Sequence, residues 1–288
     1  MTTQKINART LITDLLLASE GKIISIKEMI LAAKLFGISE NGIRVAVTRL
    51  ASEGVIVSAE RGFYQLSEQS LEWADVMLNR RAGLKETKAW NQKYLCVLTG
   101  TLGRVDRTAL KRRERALKKY GFRELEPSVY IRPDNLVISL EDMLEHMKSI
   151  GLESGAKMCH INSFDQITTG MIKDLWQTEN LNKNYEKYSH IIQHWLSRVP
   201  ALGLEDAARE SLLLGRQTIS LLMNDPLLPE PFVNVEARDQ FTADVKKLDE
   251  VGQRLWKQLH ELTFGTAATS LLNLELPAVA DVTPKILN

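Results

Sequence analysis

Cysteine is nearly absent: the 288 residues hold two, Cys96 and Cys159. They lie far apart and in no CxxC spacing, which argues against a disulfide framework and against a cysteine zinc site, and fits a reduced cytoplasmic setting. Long apolar runs are missing too, so no stretch reads as a membrane span. The opening MTTQKINARTLITDLLLASEGK lacks the basic start, long apolar core and small-residue cleavage site of a signal peptide. Nor is there an excess of one charge. Lys and Arg number 37 against 36 Asp and Glu, a formal net charge of +1, so any basic surface must be local. Repeats and low-complexity segments are absent. What remains, 44% hydrophobic and 25% charged residues, is an ordinary soluble globular composition with ample material for a core. The length suits two or three domains.

The most informative stretch is SENGIRVAVTRLASEG, residues 39–54. Ser39 can cap a helix and Gly54 can supply the left-handed residue beyond its end. Ile43, Ala46, Val47 and Leu50 recur at helical spacing and predict a buried face, while Asn41, Arg44, Thr48 and Arg49 occupy the other. An amphipathic helix over Ile26–Phe36 precedes it, with Ser25 and Glu28 in capping-box spacing. Two short strand-like runs follow, Val55–Ala59 and Phe63–Leu66, around Glu60-Arg61-Gly62. Helix, tight turn, helix and hairpin is the order of a winged helix-turn-helix, whose second helix enters the DNA major groove. The competing reading is a surface helix with solvated charges, since such patterns are short and often match by chance.

Upstream, Ala8–Ser19 carries an apolar stripe of Leu11, Ile12, Leu15 and Leu16 and predicts a first helix. Downstream, Ser70–Arg80 predicts a helix that runs into a polar linker. From Trp90 the predicted order is strand (Tyr94–Thr99), helix (Thr108–Tyr120), strands (Phe122–Glu126 and Val129–Arg132), helix (Ser139-capped, to Ile150), strand (Lys157–Ile161), then a helix over Gln166–Gln177. That is the split βαβ order of a ferredoxin-like domain. Long helices over Asn182–Val199, Glu205–Met223 and Glu236–Leu262 follow, with the proline-stiffened NDPLLPEP between the last two. The expected fold is therefore α+β: a winged helix-turn-helix domain over 1–70, a linker helix over 71–88, a ferredoxin-like domain over 89–175, a helical domain over 176–263 and a tail over 264–288.

Three stretches, in this order, resemble the PaaX-type transcriptional regulators of phenylacetate catabolism. They are FGISENGIRVAVTRLASEGVIVS with its hairpin, WNQKYLCVLTG with the basic helix and GFRELEPSVYIRP, and LWQTENLNKNYEKY with NDPLLPEPF. DPLLP after a long apolar helix is the most specific. The resemblance runs from Ala8 to Leu262. It implies a homodimeric repressor released from double-stranded operator DNA by an aryl-acetyl-CoA effector, usually phenylacetyl-CoA, with no cofactor, metal or catalytic role. Two stretches depart from the family: Gly215-Arg216-Gln217-Thr218-Ile219, where an aromatic residue usually sits beside arginine, and Phe232-Val233, where Leu-Leu-Pro usually recurs. A different acyl-CoA inducer, or DNA binding without an effector, therefore stays open.

The DNA-binding candidates are Ser39, Asn41, Arg44, Val45, Thr48, Arg49 and Arg61. Arginine can grip guanine O6 and N7 or clamp a phosphate, asparagine can pair with adenine, and Val45 and Thr48 offer methyls to thymine. Arg49 serves equally well as a phosphate contact without sequence information. Arg61, at the hairpin tip, can enter a minor groove or stay in solvent. The effector candidates are Arg112, Arg113 and Arg115, on a helix that also carries Lys111, Lys118 and Lys119 against a single Glu114, preceded by Arg104 and Arg107. Crowded cations favour an anionic partner, either CoA phosphates or DNA, with a solvated face as the plain alternative. Trp176 and Tyr185 belong with Tyr188 and Trp195 to helix-spaced aromatics, more often core than ligand wall. Arg216, in the departing stretch, completes the set. His190 and His194 have metal-pair spacing but no third ligand, and Cys96 and Cys159 read as buried small hydrophobes.

An enzyme reading fares worse. A nuclease built on a ferredoxin-like domain needs an Asp at the end of its first strand, and Tyr94–Leu102 contains no Asp or Glu.

Overall fold

The computed structural model describes residues 6–19, 23–68, 70, 86–100, 102, 103 and 105–265. The expected helix beyond Ser70, most of the 71–88 linker, Arg104 and the 266–288 part of the tail lie outside the described residues. Contacts divide the chain into two compact units. The first draws on residues 1–78, 199–213 and 249–288, the second on 79–198 and 214–248, so the C-terminal helices are shared between both.

The first unit opens with α1 (Ala8–Ala18), β1 (Ile24–Ser25), α2 (Ile26–Leu35), α3 (Glu40–Ser52), β2 (Ile56–Glu60) and β3 (Phe63–Leu66). Local chemistry sets the helix ends as expected. Ser25 Oγ accepts from Glu28 N at 3.2 Å while Glu28 Oε2 accepts from Ser25 N at 2.7 Å, a complete capping box. Ser39 Oγ accepts from Gly42 N at 3.1 Å. Past α3, Gly54 takes φ +70°, the left-handed conformation that favours glycine. Leu11, Ile12, Leu16, Met29, Ile43, Leu50 and Ile56 are fully buried, and Leu212, Leu213 and Trp256 pack against this cluster. The sheet runs β1-β3-β2, antiparallel throughout. β1 was not foreseen, because two residues are too few to show a period. Its register pairs Ile24 with Tyr64 and Ser25 with Phe63, and the Ile26 N–H donates to Gly62 O at 2.9 Å, tying the hairpin to the start of α2.

The second unit holds β4 (Tyr94–Leu98), α4 (Arg107–Lys119), β5 (Arg123–Glu126), β6 (Val129–Pro133), α5 (Leu140–Ser149), β7 (Lys157–Ile161), α6 (Gln166–Asp174) and α7 (Thr178–Arg198). The order is the expected one, and the sheet runs β5-β6-β4-β7 with every neighbour antiparallel. Leu95 and Val97 of β4 share a buried cluster with Ala116 and Leu117 of α4 and with Met143 and Met147 of α5. α6 stops three residues earlier than expected, and Gln177, at φ +49°, separates it from α7. Helices α8 (Leu204–Met223) and α9 (Val235–Phe264) complete the chain.

The DPLLP run between them is held from several sides. Asp225 Oδ1 accepts from Leu227 N at 2.7 Å, and Asp225 Oδ2 accepts from Tyr185 Oη at 2.7 Å. The Asn135 amide donates to Leu227 O at 2.8 Å, and Arg238 Nη1 donates to Leu228 O at 2.7 Å. Leu227, Leu228, Phe232 and Val233 are all buried. Proline removes donors here, so side chains satisfy the carbonyls that a helix or strand would otherwise pair. Burial pushes the Asp225 carboxyl above the usual range, against its hydrogen bonds from Tyr185 and Leu227.

Candidate nucleic-acid interface and effector residues

α3 separates its residues cleanly. Ile43, Val47 and Leu50 are at most 2% exposed and Ala46 is also buried. Asn41, Arg44, Thr48 and Arg49 are exposed, as is Val45 at 43%, a large aliphatic side chain left in water. Arg44 donates through Nε at 3.0 Å and Nη2 at 2.6 Å to Glu40 Oε1, one turn back. Both side chains are more than half exposed, so the pair adds little stability and Arg44 can exchange Glu40 for another acceptor. Ser39 spends its hydroxyl on the helix cap, which makes it a positioning residue at the N-terminal end of this face. Arg61 is exposed at the β2–β3 turn. The seven DNA candidates thus sit on one helix, its cap and one hairpin tip, with every one of them at the surface.

The basic helix α4 divides differently. Arg112 and Arg115 are exposed, but Arg113 is 1% exposed and already paired. Its Nη2 donates to Glu153 Oε1 at 2.6 Å and to Gly103 O at 2.9 Å, and its Nε to Glu153 at 3.1 Å. This corrects the grouping of the three arginines as one effector site: Arg113 is a buried structural cation. The signal was in the sequence, since Arg113 stands three and four residues before buried Ala116 and Leu117 and so lies on the apolar stripe. The hydrogen bond from Arg113 holds the Glu153 carboxyl below the usual range, against desolvation. A depressed carboxylate contributes stability above the unfolded pKa and loses it as pH falls through the folded one. Glu153→Gln is therefore expected to cost about 1–2 kcal/mol at neutral pH. In urea titrations the gap from the unaltered protein should close as acid protonates Glu153. A gap unchanged down to pH 3 would rule out the carboxylate as its source.

Trp176 and Tyr185 are buried, at 4% and 3% exposure. Trp176 Nε1 donates to Gly121 O at 2.7 Å, and the Tyr185 hydroxyl is committed to Asp225. Tyr185 stacks on Phe241 with centroids 6.0 Å apart and packs in the core, the commoner of the two roles weighed for these aromatics, so it does not join Trp176 at an effector site here. Arg216 lies half-buried on α8. An open cavity of about 360 Å³ is bordered by Leu117, Lys118, Phe122, Arg123, Tyr130 and Trp176, among others. Of the six effector candidates only Trp176 borders it. Lys118, Phe122, Arg123 and Tyr130 were missed because β5, β6 and α4 bring them together only in the fold. His190 and His194 are exposed on α7.

The described residues thus form a mixed α and β protein with two small antiparallel sheets and a helical C-terminal region, and an early helix shows a polar and basic face. Residues 7–70 match a family model described as PaaX-like protein, the family that the sequence resembles. Among solved structures the chain is similar to the "Uncharacterized protein Rv0674 from Mycobacterium tuberculosis", with a TM-score of 0.53 and 21% identity over 86% of this chain and 99% of that one. Identity this low speaks for the fold alone. No curated protein matches. Among the described residues no helix is long and apolar enough to cross a membrane.

Proposed function

We propose that this chain is a cytoplasmic DNA-binding transcriptional repressor of a phenylacetate or related aromatic catabolic pathway. In this reading α2, α3 and the β2–β3 hairpin act as a winged helix-turn-helix, with α3 in the major groove, and the β4–β7 segment is a ferredoxin-like domain. The protein binds its operator as a homodimer and leaves it on meeting an aryl-acetyl-CoA such as phenylacetyl-CoA. The observation that carries the reading is the division of α3, whose apolar side is fully buried while Asn41, Arg44, Val45, Thr48 and Arg49 face outward. The PaaX-like match over the same residues supports it. Effector binding must favour a state that fits DNA less well, because a ligand shifts an equilibrium only by its differential affinity. The cavity beside Trp176 offers aromatic walls for an aryl group and two cations, Lys118 and Arg123, for phosphates, with Glu114 and Glu124 also on its border. No catalysis is part of this reading.

Footprinting upstream of the protein's own gene and its neighbours, with and without phenylacetyl-CoA, tests it. Two protected half-sites about one helical turn apart, or a multiple of that, are expected. Arg44→Ala should weaken specific binding by about 1–3 kcal/mol with an unchanged unfolding midpoint, since it removes base contacts and only a solvated ion pair. Unaltered specific affinity in this variant would remove α3 from the major groove. A footprint that responds to another acyl-CoA but not to phenylacetyl-CoA would favour the second inducer reading. For that reading the family departure at Phe232 is the better pointer, because its ring packs edge-on against Trp176, which borders the cavity, with centroids 5.5 Å apart.

A further inference from the structure

Cys96 and Cys159 are 63 positions apart in sequence, yet the antiparallel register of β7 on β4 sets them directly opposite each other. Directly opposed residues in such a pair have Cα atoms roughly 4.5 or 5.5 Å apart and side chains on the same face. A disulfide spans Cα separations of about 4.4–6.8 Å, so register alone brings both cysteines within range. Access is unequal. Cys96 is buried on the central strand, while Cys159 is exposed on β7, an edge strand of the sheet.

We propose that Cys96 and Cys159 form a reversible cross-strand disulfide, with exposed Cys159 as the point of entry for a small-molecule disulfide. In the first step the Cys159 thiolate attacks one sulfur of the oxidant, forming a mixed disulfide and releasing one small thiolate. In the second the Cys96 thiolate attacks Cys159 Sγ, the mixed bond breaks and a second small thiolate leaves. Two protein thiols are oxidised, one small disulfide is reduced, and the two thiol protons pass to the released thiolates. Burial pushes the Cys96 thiol up to about 12, with Cys159 beside it adding to the effect. Little Cys96 is therefore thiolate at neutral pH, and the second step is the slow one. In a reducing compartment such a bond is transient, which suits a modification site better than a permanent brace. The inference does not rest on the DNA-binding reading.

The test uses the full chain incubated with oxidised glutathione, alkylated under denaturing conditions, digested and weighed. In the unaltered protein the glutathione adduct on Cys159 is expected first, followed by a Cys96–Cys159 linked peptide in the monomer with neither thiol left free. In Cys96→Ala the glutathione adduct on Cys159 should form at a similar rate and persist. Cys159→Ser, a change at an exposed position, should leave Cys96 unmodified in the folded protein. The proposal is overturned if the unaltered protein stops at the adduct on Cys159 with Cys96 still open to alkylation after unfolding. It is equally overturned if the product is a covalent dimer through Cys159, or if Cys96 oxidises as fast in Cys159→Ser.

Discussion

Arg132→Met is expected to lower the unfolding free energy of the second unit by about 3–5 kcal/mol. The guanidinium is 1% exposed in the centre of the fold. Its Nε donates to Pro133 O at 3.0 Å, Nη1 to Tyr120 O, and Nη2 to Asn135 Oδ1 at 2.8 Å. Burial pushes its pKa down, and the Asp134 carboxylate opposes that shift from nearby. Methionine fills much of the volume but removes the guanidinium donors from Tyr120 O and Asn135 Oδ1, each loss costing about 1–3 kcal/mol, while Pro133 O keeps the Asn135 N–H at 3.1 Å. The loss also spreads. Asn135, held by Arg132 on its oxygen, uses its nitrogen to hold Leu227 O, so the DPLLP turn loses an anchor. Arg132→Lys should recover only part of the stability, because an ammonium keeps the charge but cannot reproduce the planar fork. Urea unfolding followed by circular dichroism measures this. A loss below about 1 kcal/mol would mean that water reaches the two acceptors and that Arg132 is not the centre of the network.

Much of this architecture could be read in advance where the deciding chemistry is local. Ser25, Ser39 and Ser139 each cap the helix expected of them. Lys157–Ile161 is a strand with the expected bounds, a short run set off by Gly151 and Gly155 before it and Asn162-Ser163 after it. The polar face of α3 was legible for the same reason: one period of 3.6 sorts every side chain at once. What escaped depends on partners distant in sequence. Glu153 lies 40 positions from Arg113, and Asp225 lies 40 from Tyr185, so charge-counting placed Arg113 at an anionic ligand and aromatic spacing left the tyrosine's role open. The two cysteines gave no spacing signal because strand register, not sequence separation, brings them together. The effector residues suffered most. A cavity lined from one helix, two strands and the α6–α7 connection has no periodic signature, so Arg112 and Arg115 were chosen on charge and Arg216 on its place in the departing stretch, and none of them borders the cavity beside Trp176.

The specificity of DPLLP as a sequence marker has a physical counterpart, which a second substitution exposes. Gly121 ends α4 at φ +78°, a conformation that costs an L-residue about 1–2 kcal/mol. Added crowding makes this position worse than an ordinary helix end. A Cβ on Gly121 would stand 2.8 Å from Pro226 O and 3.2 Å from Pro226 Cα, both backbone atoms of the DPLLP turn. That backbone cannot move aside easily, because Asn135 and Arg238 grip the two carbonyls that follow and Tyr185 holds Asp225 before it. Overpacking of this kind adds about 1–3 kcal/mol, so Gly121→Ala should cost about 2–5 kcal/mol in all. Gly54→Ala supplies the comparison. Gly54 has a similar φ of +70° but nothing within 4 Å of the added Cβ, so only the backbone cost remains, about 1–2 kcal/mol. The excess in Gly121→Ala over Gly54→Ala isolates the pressure of the turn on the helix end, and thermal unfolding of the two variants under one set of conditions reads it. Trp176 fluorescence should respond in Gly121→Ala alone, because its Nε1 donates to the Gly121 carbonyl. Equal losses in the two variants would show that the DPLLP backbone yields freely, and the run would then need another reason for its rigidity.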